Sequence, residues 1–226
     1  MTREVVVRID VWSDLVCPWC YIGKRRLERA LEGFSHRDGV EIVHRSFQLD
    51  PSAPPARTQA RREMLMAKYR LTAAQVDEMD VRMQRTAAAD GLDYHLEGSV
   101  TGNTFDAHRV LHLASDRGVQ AAVLERFYRA YFTEQRSLFD RDSLVALAAE
   151  AGLDPDETRR VLGSETYADR VAADLKAARA LGATGVPFFV IDHRYGVSGA
   201  QSADVFADAL TRAWNGQAAL PADQPR

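Results

Sequence analysis

The sequence has little of what marks a nucleic-acid or membrane protein. Its 226 residues carry a formal net charge of only −3, from 29 lysines and arginines and 32 aspartates and glutamates. Proteins that bind nucleic acid or anionic membranes carry a basic footprint, so neither partner is expected. No segment approaches the ~20 consecutive apolar residues that span a bilayer.

The first ten residues do not have the sequence pattern of a secretory signal peptide. Charged residues interrupt residues 1–10, where a signal peptide would need an unbroken apolar stretch of about 7–15 residues. We therefore expect a cytoplasmic protein.

Cysteine is scarce: the chain has two, Cys17 and Cys20. Disulfides in the cytosol are usually transient and catalytic, so this pair attracts attention.

The two ends of the chain predict a sheet, and the middle predicts helices. Residues 5–12 and 40–47 read as strands on either side of a helix that begins near Cys17. Residues 187–191 and 195–198 read as a hairpin, followed by a helix at 203–214. Between them lie seven segments with helical periodicity, at 60–69, 73–90, 104–117, 121–133, 141–151, 155–163 and 165–181. This order favours one α/β domain split by a helical insertion over an α+β protein with helices packed elsewhere.

The Cys17-Pro18-Trp19-Cys20 segment lies at the first strand-to-helix junction. Two intervening residues on a helical turn bring the sulfurs within bonding reach, and a helix N-terminus stabilises a thiolate on the first cysteine. Cys20, one turn inside, should be more buried and should resolve a mixed disulfide formed on Cys17. The alternatives are a structural zinc site, which needs four ligands, and an inert buried pair.

Four segments resemble the FrnE-like branch of the DsbA family of thioredoxin-fold oxidoreductases. They are Ser-Asp-Leu-Val-Cys-Pro-Trp-Cys-Tyr-Ile-Gly-Lys at 13–24, Gly-Asn-Thr-Phe-Asp-Ala-His-Arg at 102–109, Gly-Val-Pro-Phe-Phe-Val at 185–190 and Gly-Val-Ser-Gly-Ala-Gln at 196–201. The resemblance implies an α/β, thioredoxin-like fold with an inserted all-helical domain. It assigns residues 1–55 and 176–216 to a discontinuous thioredoxin-like domain and 56–175 to the helical insertion. Residues 217–226 are expected to be a mobile tail.

The resemblance also implies that Pro187 is a cis-proline facing the cysteine pair, although a strand-starting proline would fit the sequence as well. We expect a substrate groove formed by Pro18, Trp19, Val186 and Pro187, whose backbone groups could pair with an incoming chain.

A turn in the middle of the chain is a further candidate for the site. The resemblance suggests that Asn103 and Phe105 face the cysteines, the alternative being a helix cap and a core residue.

Three more polar residues have competing interpretations. Asp14 could accept a proton near the thiols, but a turn or capping role is favoured. His108 and His112 have the i, i+4 spacing of a metal-binding pair, yet no carboxylate completes a motif. We expect them to form surface or interdomain hydrogen bonds, and no metal site is predicted.

These observations predict a thiol–disulfide oxidoreductase, with disulfide isomerase activity as an extension. No cofactor is required, although glutathione or another thiol could recycle the protein. The substrate could be a protein or a small molecule, and the chain could be a monomer or a homodimer. One alternative is a glutathione-dependent isomerase or transferase, because the family includes 2-hydroxychromene-2-carboxylate isomerases and kappa-class glutathione transferases. Those relatives usually carry serine at position 17. A second alternative is a non-enzymatic binding module.

Overall fold

A four-stranded sheet forms the framework of the protein, whose computed structural model describes residues 7–55 and 57–218. The described residues form six strands, of which the first two and the last two make this sheet. They are β1 (Val7–Ser13), β2 (Val40–Ser46), β3 (Thr58–Ala60), β4 (Val100–Gly102), β5 (Phe188–Ile191) and β6 (Tyr195–Ser198). The sheet order is β2-β1-β5-β6, with β1 parallel to β2 and the other pairs antiparallel. The two ends of the chain therefore meet in one sheet, at the pairing of β1 with β5.

Helices occupy most of the chain between β2 and β5. They are α1 (Pro18–Glu32), α2 (Arg61–Tyr69), α3 (Ala73–Ala89), α4 (Phe105–Asp116), α5 (Gln120–Phe132), α6 (Arg141–Glu150), α7 (Pro155–Leu162), α8 (Ala168–Ala180) and α9 (Ala203–Ala218). Each predicted helix is present within a few residues of its expected bounds. The thioredoxin-like α/β fold with a helical insertion is thus confirmed. Within the described residues, no helix is both long and apolar enough to cross a membrane.

The sheet is covered on both faces at β1, whose two faces differ: one is apolar, and the other carries Arg8, Asp10 and Trp12. Val7, Ile9 and Val11 are buried in a cluster with residues of α1 and α9. On the opposite face, Trp12 packs with Ala178 of α8. A strand buried on both faces belongs in the centre of a sheet, and β1 lies there between β2 and β5.

Two details differ from the sequence expectations. The insertion is not purely helical, because β3 and β4 pair in a short antiparallel ribbon. The domain boundary between residues 175 and 176 stays a prediction; it lies inside α8, as it lies inside the helix predicted at 165–181. The predicted mobile tail begins inside α9, which runs to Ala218. The rest of that tail, residues 219–226, lies outside the described residues, as do residues 5 and 6 of the first predicted strand.

Aromatic rings join α1 to the insertion. The ring of Tyr21 stacks on that of Tyr128 in α5 with 4.8 Å between centroids, and the Tyr21 hydroxyl donates to Glu125 Oε1 at 2.6 Å. Tyr94 and Phe132 extend the stack, with 4.6 Å between their centroids. The helix that carries the cysteines is therefore fixed against the insertion as well as against the sheet.

Gly23 sets how closely α1 approaches the loop before β5. A Cβ atom at this position would lie 3.0 Å from Pro187 Cγ and 3.2 Å from Phe189 Cζ. Glycine inside a helix costs about 1 kcal/mol relative to alanine, but overpacking a tight contact costs about 1–3 kcal/mol. The close approach therefore outweighs helix propensity.

We expect Gly23→Ala to lower the free energy of unfolding by up to about 2 kcal/mol, measured by urea denaturation. Gly33→Ala is the matched control, because its nearest neighbour, Ala30 O, lies 3.9 Å from the added Cβ. A Gly23→Ala protein at least as stable as the Gly33→Ala protein would contradict this packing argument.

His44 on the edge strand β2 is expected to make the fold sensitive to acid, because its pKa is lowered. Burial, and then the charge of Lys24, lower the pKa of His44 to about 3. An unfolded histidine titrates near pH 6.5, so between about pH 6.5 and 3 the unfolded state binds the extra proton. Stability therefore falls as the pH drops through this window and is unaffected by His44 above it.

Replacing His44 with glutamine should remove this acid sensitivity. The wild type should lose up to about 2 kcal/mol more unfolding free energy than His44→Gln between pH 7.5 and pH 5, measured by urea denaturation. His193→Asn serves as the control, since His193 is exposed in the turn between β5 and β6. An equal pH dependence in wild type and His44→Gln would rule out His44 as the cause.

Candidate active site

The two cysteines lie where the sequence places them, at the start of α1. Cys17 is the N-cap residue, with φ −87° and ψ 111°, and Pro18 is the first helical residue. Proline suits this position because its missing N–H has no partner there in any helix. The backbone N–H of Cys20 donates to Cys17 O at 3.0 Å, which closes the first turn around the pair. Both thiols are reduced.

The expected contrast in exposure between the two cysteines is small. Cys17 is 4% exposed and Cys20 is 2% exposed, so both are buried. The electrostatic surroundings of Cys20 are distinctive. Burial first, and then the hydrogen bond that the Cys20 thiol donates to Cys17 and the charge of Cys17, raise the pKa of Cys20 well above that of a free cysteine. Cys20 is therefore held as a neutral thiol in this dithiol state.

The segment before β5, which is distant from Cys17 in the sequence, contacts the Cys17 thiol. The Val186–Pro187 peptide bond is cis, as the resemblance implies. The Cys17 thiol donates to Val186 O with 3.5 Å between sulfur and oxygen. Pro187 O accepts from the backbone N–H of Gly199 at 2.8 Å, which ties this loop to the segment after β6. The sulfur of Cys17 thus faces the backbone carbonyl of Val186, the residue before the cis-proline.

The two residues between the cysteines have opposite surroundings. Trp19 is 42% exposed, among the most exposed large apolar side chains of the described chain. Pro18 is held from inside, because the Tyr94 hydroxyl donates to Pro18 O at 2.8 Å. Burial raises the pKa of Tyr94, which keeps its hydroxyl protonated as a donor. The turn is therefore fixed on one side and open on the other.

Asp14 is a turn residue and a link to the insertion. Its Oδ1 accepts from the backbone N–H of Leu15 at 2.8 Å, and its Oδ2 accepts from that of Leu49 at 2.7 Å. His108 Nε2 of α4 lies 3.3 Å from Asp14 Oδ1 and donates to it. Both side chains are 1% exposed. The favoured turn role of Asp14 agrees with these contacts, and its backbone carbonyl accepts from the N–H of Cys17.

The two histidines of α4 each bind a carboxylate. His112 Nε2 lies 3.2 Å from Asp174 Oδ2 and 3.1 Å from Ser46 Oγ. The expectation of interdomain hydrogen bonds is met, but neither histidine is on the surface, because both are buried. The described residues contain no cluster of three or more metal-ligating side chains.

Asn103 contacts the segment that follows β2, and Phe105 contacts its own helix, α4. Asn103 Nδ2 donates to Ala53 O at 2.6 Å, and Asn103 Oδ1 accepts from Gln48 Nε2 at 3.1 Å and from the backbone N–H of Phe105 at 2.8 Å. The half-buried Phe105 ring lies under the guanidinium of Arg109, 5.8 Å away. In the described part of the chain, no hydrogen bond joins Asn103 or Phe105 to a cysteine.

Sequence reasoning missed Tyr94 and Gly23. Tyr94 lies between α3 and β4 in a segment without periodicity, so nothing local connects it with Pro18, 76 residues earlier. Gly23 appears in the quoted motif, and a glycine within a helical pattern does point to a close approach. The partner of that approach, Pro187, is visible only in the fold.

Comparison with known proteins agrees with this geometry. Residues 8–211 match the family model of the DSBA-like thioredoxin domain. A probable DsbA oxidoreductase from Streptomyces coelicolor has 50% identity and a TM-score of 0.92, covering 97% of this chain and 94% of its own. The uncharacterized protein YwbO of Bacillus subtilis is 28% identical over 92% of this chain and 97% of its own length.

A structure of 2-hydroxychromene-2-carboxylate isomerase shares the fold at 21% identity and a TM-score of 0.69, covering 95% of this chain and 100% of its own. The cytosolic disulfide reductase DsbM of Pseudomonas aeruginosa does so at 20% identity and a TM-score of 0.61, covering 90% and 97%. At these identities the likeness extends to the fold alone. With nearly its whole length matched by the family model, the chain belongs to the DSBA-like thioredoxin domain family.

Proposed function

We propose that the protein is a thiol–disulfide oxidoreductase in which Cys17 attacks the substrate and Cys20 resolves the product. One observation supports this most directly. Two reduced thiols share the first turn of α1, with the sulfur of Cys17 against the Val186 carbonyl and Trp19 exposed beside it. Exchange requires such a pair next to a surface where a second chain can approach.

In the reducing direction, the thiolate of Cys17 attacks one sulfur of a substrate disulfide. A mixed disulfide forms, and the other substrate sulfur leaves as a thiolate that takes up a proton. Cys20 then loses its proton and attacks Cys17 Sγ, which releases the second substrate thiol and leaves a Cys17–Cys20 disulfide. Two molecules of a low-molecular-weight thiol such as glutathione restore the dithiol and leave as their own disulfide. Oxidation of a substrate dithiol is the reverse sequence.

The raised pKa of Cys20 fits a resolving role. After burial, the hydrogen bond and charge of Cys17 are the next largest causes of that raised pKa. Both disappear when Cys17 is tied up in a mixed disulfide. Cys20 therefore becomes easier to deprotonate at the step that needs its thiolate, and stays protonated while Cys17 is free.

We assign substrate contact to Trp19, Val186 and Pro187. Trp19 offers an exposed aromatic surface, and the Val186 carbonyl, joined to Pro187 by a cis bond, lies against the attacking sulfur. Pro18 shapes the turn, since its carbonyl is already bonded to Tyr94. We assign Asn103 and Phe105 to supporting the wall of the site, because the contacts of Asn103 are internal.

The open side of the turn is compatible with two classes of substrate. A protein or a small disulfide can approach over Trp19, and the DsbA-type relative from Streptomyces coelicolor is consistent with disulfide chemistry. A glutathione-dependent isomerase is the second candidate, but a thiol at position 17 and a partner thiol at position 20 favour dithiol exchange. The cytoplasmic location and the monomeric or dimeric state stay predictions from the sequence.

The cysteine variants test this function. The wild type should catalyse reduction of insulin by glutathione or dithiothreitol, followed by turbidity, and Cys17→Ser should reduce the rate to the uncatalysed level. Cys20→Ser should retain attack but not resolution, and should accumulate a mixed disulfide visible by mass spectrometry.

Each other outcome has a definite meaning. Absence of catalysis by the wild type in both reduction and oxidative refolding of a disulfide protein would disprove the proposal. Full glutathione-dependent turnover of a small electrophile by Cys20→Ser would favour the isomerase or transferase instead.

Trp19 provides a test of the substrate surface. We expect Trp19→Ala to raise KM for a disulfide-containing peptide by about tenfold, corresponding to ~1.4 kcal/mol, with kcat changed much less. Tyr69→Ala is the matched control, because Tyr69 is an aromatic residue of α2 that is 56% exposed. Equal KM values for the two variants would remove Trp19 from the substrate surface.

A further inference from the structure

A cleft lined in part by Cys20, but not by Val186, has no role in the chemistry above. Its volume is about 330 Å³, and it lies between β2, α1 and α5. Exposed residues at its mouth include Glu41, Gly118 and Ala121, and buried residues at its inner end include Ser13, Cys20 and Tyr128. Cys20 thus forms part of its wall, whereas Cys17 is not among the lining residues.

The wall of the cleft is largely apolar. Its apolar side chains include Val11, Leu27, Ile42, Leu124 and Phe189. A concave, mostly apolar pocket with a few polar groups is the usual form of a small-molecule site. A cavity of about 150 Å³ is enough to hold benzene, so the present volume leaves room for one or two fused rings.

His44 is the polar group that distinguishes this cleft. Its backbone N–H donates to Gln120 Oε1 at 3.3 Å, and its backbone carbonyl accepts from Gln120 Nε2 at 3.1 Å. The imidazole makes no hydrogen bond within the described structure. Its Nδ1 is buried without a partner, so Nε2 is the ring nitrogen that a molecule in the cleft can reach. Because burial and Lys24 keep the pKa of His44 at about 3, the ring is neutral and has one donor and one acceptor nitrogen.

The charges near the cleft leave no excess of positive charge for an anion. Lys24 Nζ contacts Glu28 Oε1 and Glu125 Oε2, each at 2.5 Å, and is thereby neutralised. Arg25 is paired with the same two carboxylates. Glu41 at the mouth adds a further negative charge. A buried anion would therefore lack a compensating partner, and an uncharged occupant is favoured.

We propose that this cleft is a second binding site, for a small uncharged molecule with a one- or two-ring apolar body and one hydroxyl group that hydrogen-bonds to His44. The apolar body fills the space between β2, α1 and α5, and the inner end of the molecule reaches Cys20. The occupant touches the thiol that resolves mixed disulfides, a consequence that rests on the proposed function, whereas the binding itself does not.

Direct binding of 2-naphthol to the reduced full-length protein tests this site without any redox assay. We expect saturable binding by calorimetry, with 2-naphthoate binding at least about tenfold more weakly because its charge has no partner. Between about pH 6 and pH 8 the affinity for 2-naphthol should stay constant, because His44 is neutral throughout. A crystal soaked with 2-naphthol should show its hydroxyl on His44 and its ring beside Cys20.

Two tryptophan variants of α5 locate the binding. Ala121→Trp should block the mouth of the cleft and lower the affinity for 2-naphthol at least about tenfold. Ala122→Trp is the matched control, because Ala122 is exposed on the same helix but does not line the cleft. The proposal is overturned if 2-naphthol does not bind, if both variants bind it as the wild type does, or if the crystal places it beside Trp19. These failures leave the cysteine assays unaffected.

Discussion

The buried carboxylate of Asp14 is the constraint on which the arrangement of the site depends. A carboxylate that is 1% exposed must have its lone pairs occupied, because an unpaired buried charge costs several kcal/mol. Asp14 meets this demand with backbone N–H groups from Leu15 and Leu49 and with His108. Leu15 is the next residue in the same loop, but Leu49 and His108 are 35 and 94 residues away. The loop before Cys17 is therefore fixed only when the segment after β2 and α4 are both in place.

The helical insertion also meets the hydrogen-bonding requirement of a second buried carboxylate. Asp174, like Asp14, is buried, and it is bonded to His112 and to the backbone N–H of Ser46 at the end of β2. Histidines one turn apart on α4 thus hold two carboxylates, one from the loop after β1 and one from α8. Removing either histidine would leave a buried carboxylate short of a donor, which costs more than a surface ion pair contributes. The insertion is for this reason part of the framework of the site.

How much of this the sequence predicts depends on the range of the interactions. The strand–helix junction at Cys17 follows from local periodicity, and the resemblance adds the role of Pro187. The pairing of His108 with Asp14 could not be predicted, because an i, i+4 histidine spacing is equally compatible with metal binding and with two separate carboxylates. Near-equal burial of Cys17 and Cys20 was also missed. A helix terminus suggests exposure, but Val186, distant in sequence, covers it. The β3–β4 ribbon is only three residues per strand, too short for a periodic pattern to develop.

The two sulfurs differ in what they face more than in how exposed they are. Cys17, at the N-cap, faces the backbone of Val186, while Cys20, three residues later, contributes to the cleft beside β2. In the proposed exchange, the attacking thiol needs a surface that substrates can reach, and the exposed Trp19 is such a surface. The proposed resolving thiol needs to stay protonated until Cys17 is occupied, and the burial of Cys20 in the first turn of α1 favours the protonated form. Because Cys20 lines the cleft and Cys17 does not, a small molecule held there would touch the thiol proposed to resolve the mixed disulfide and would leave the Trp19 side of the turn open.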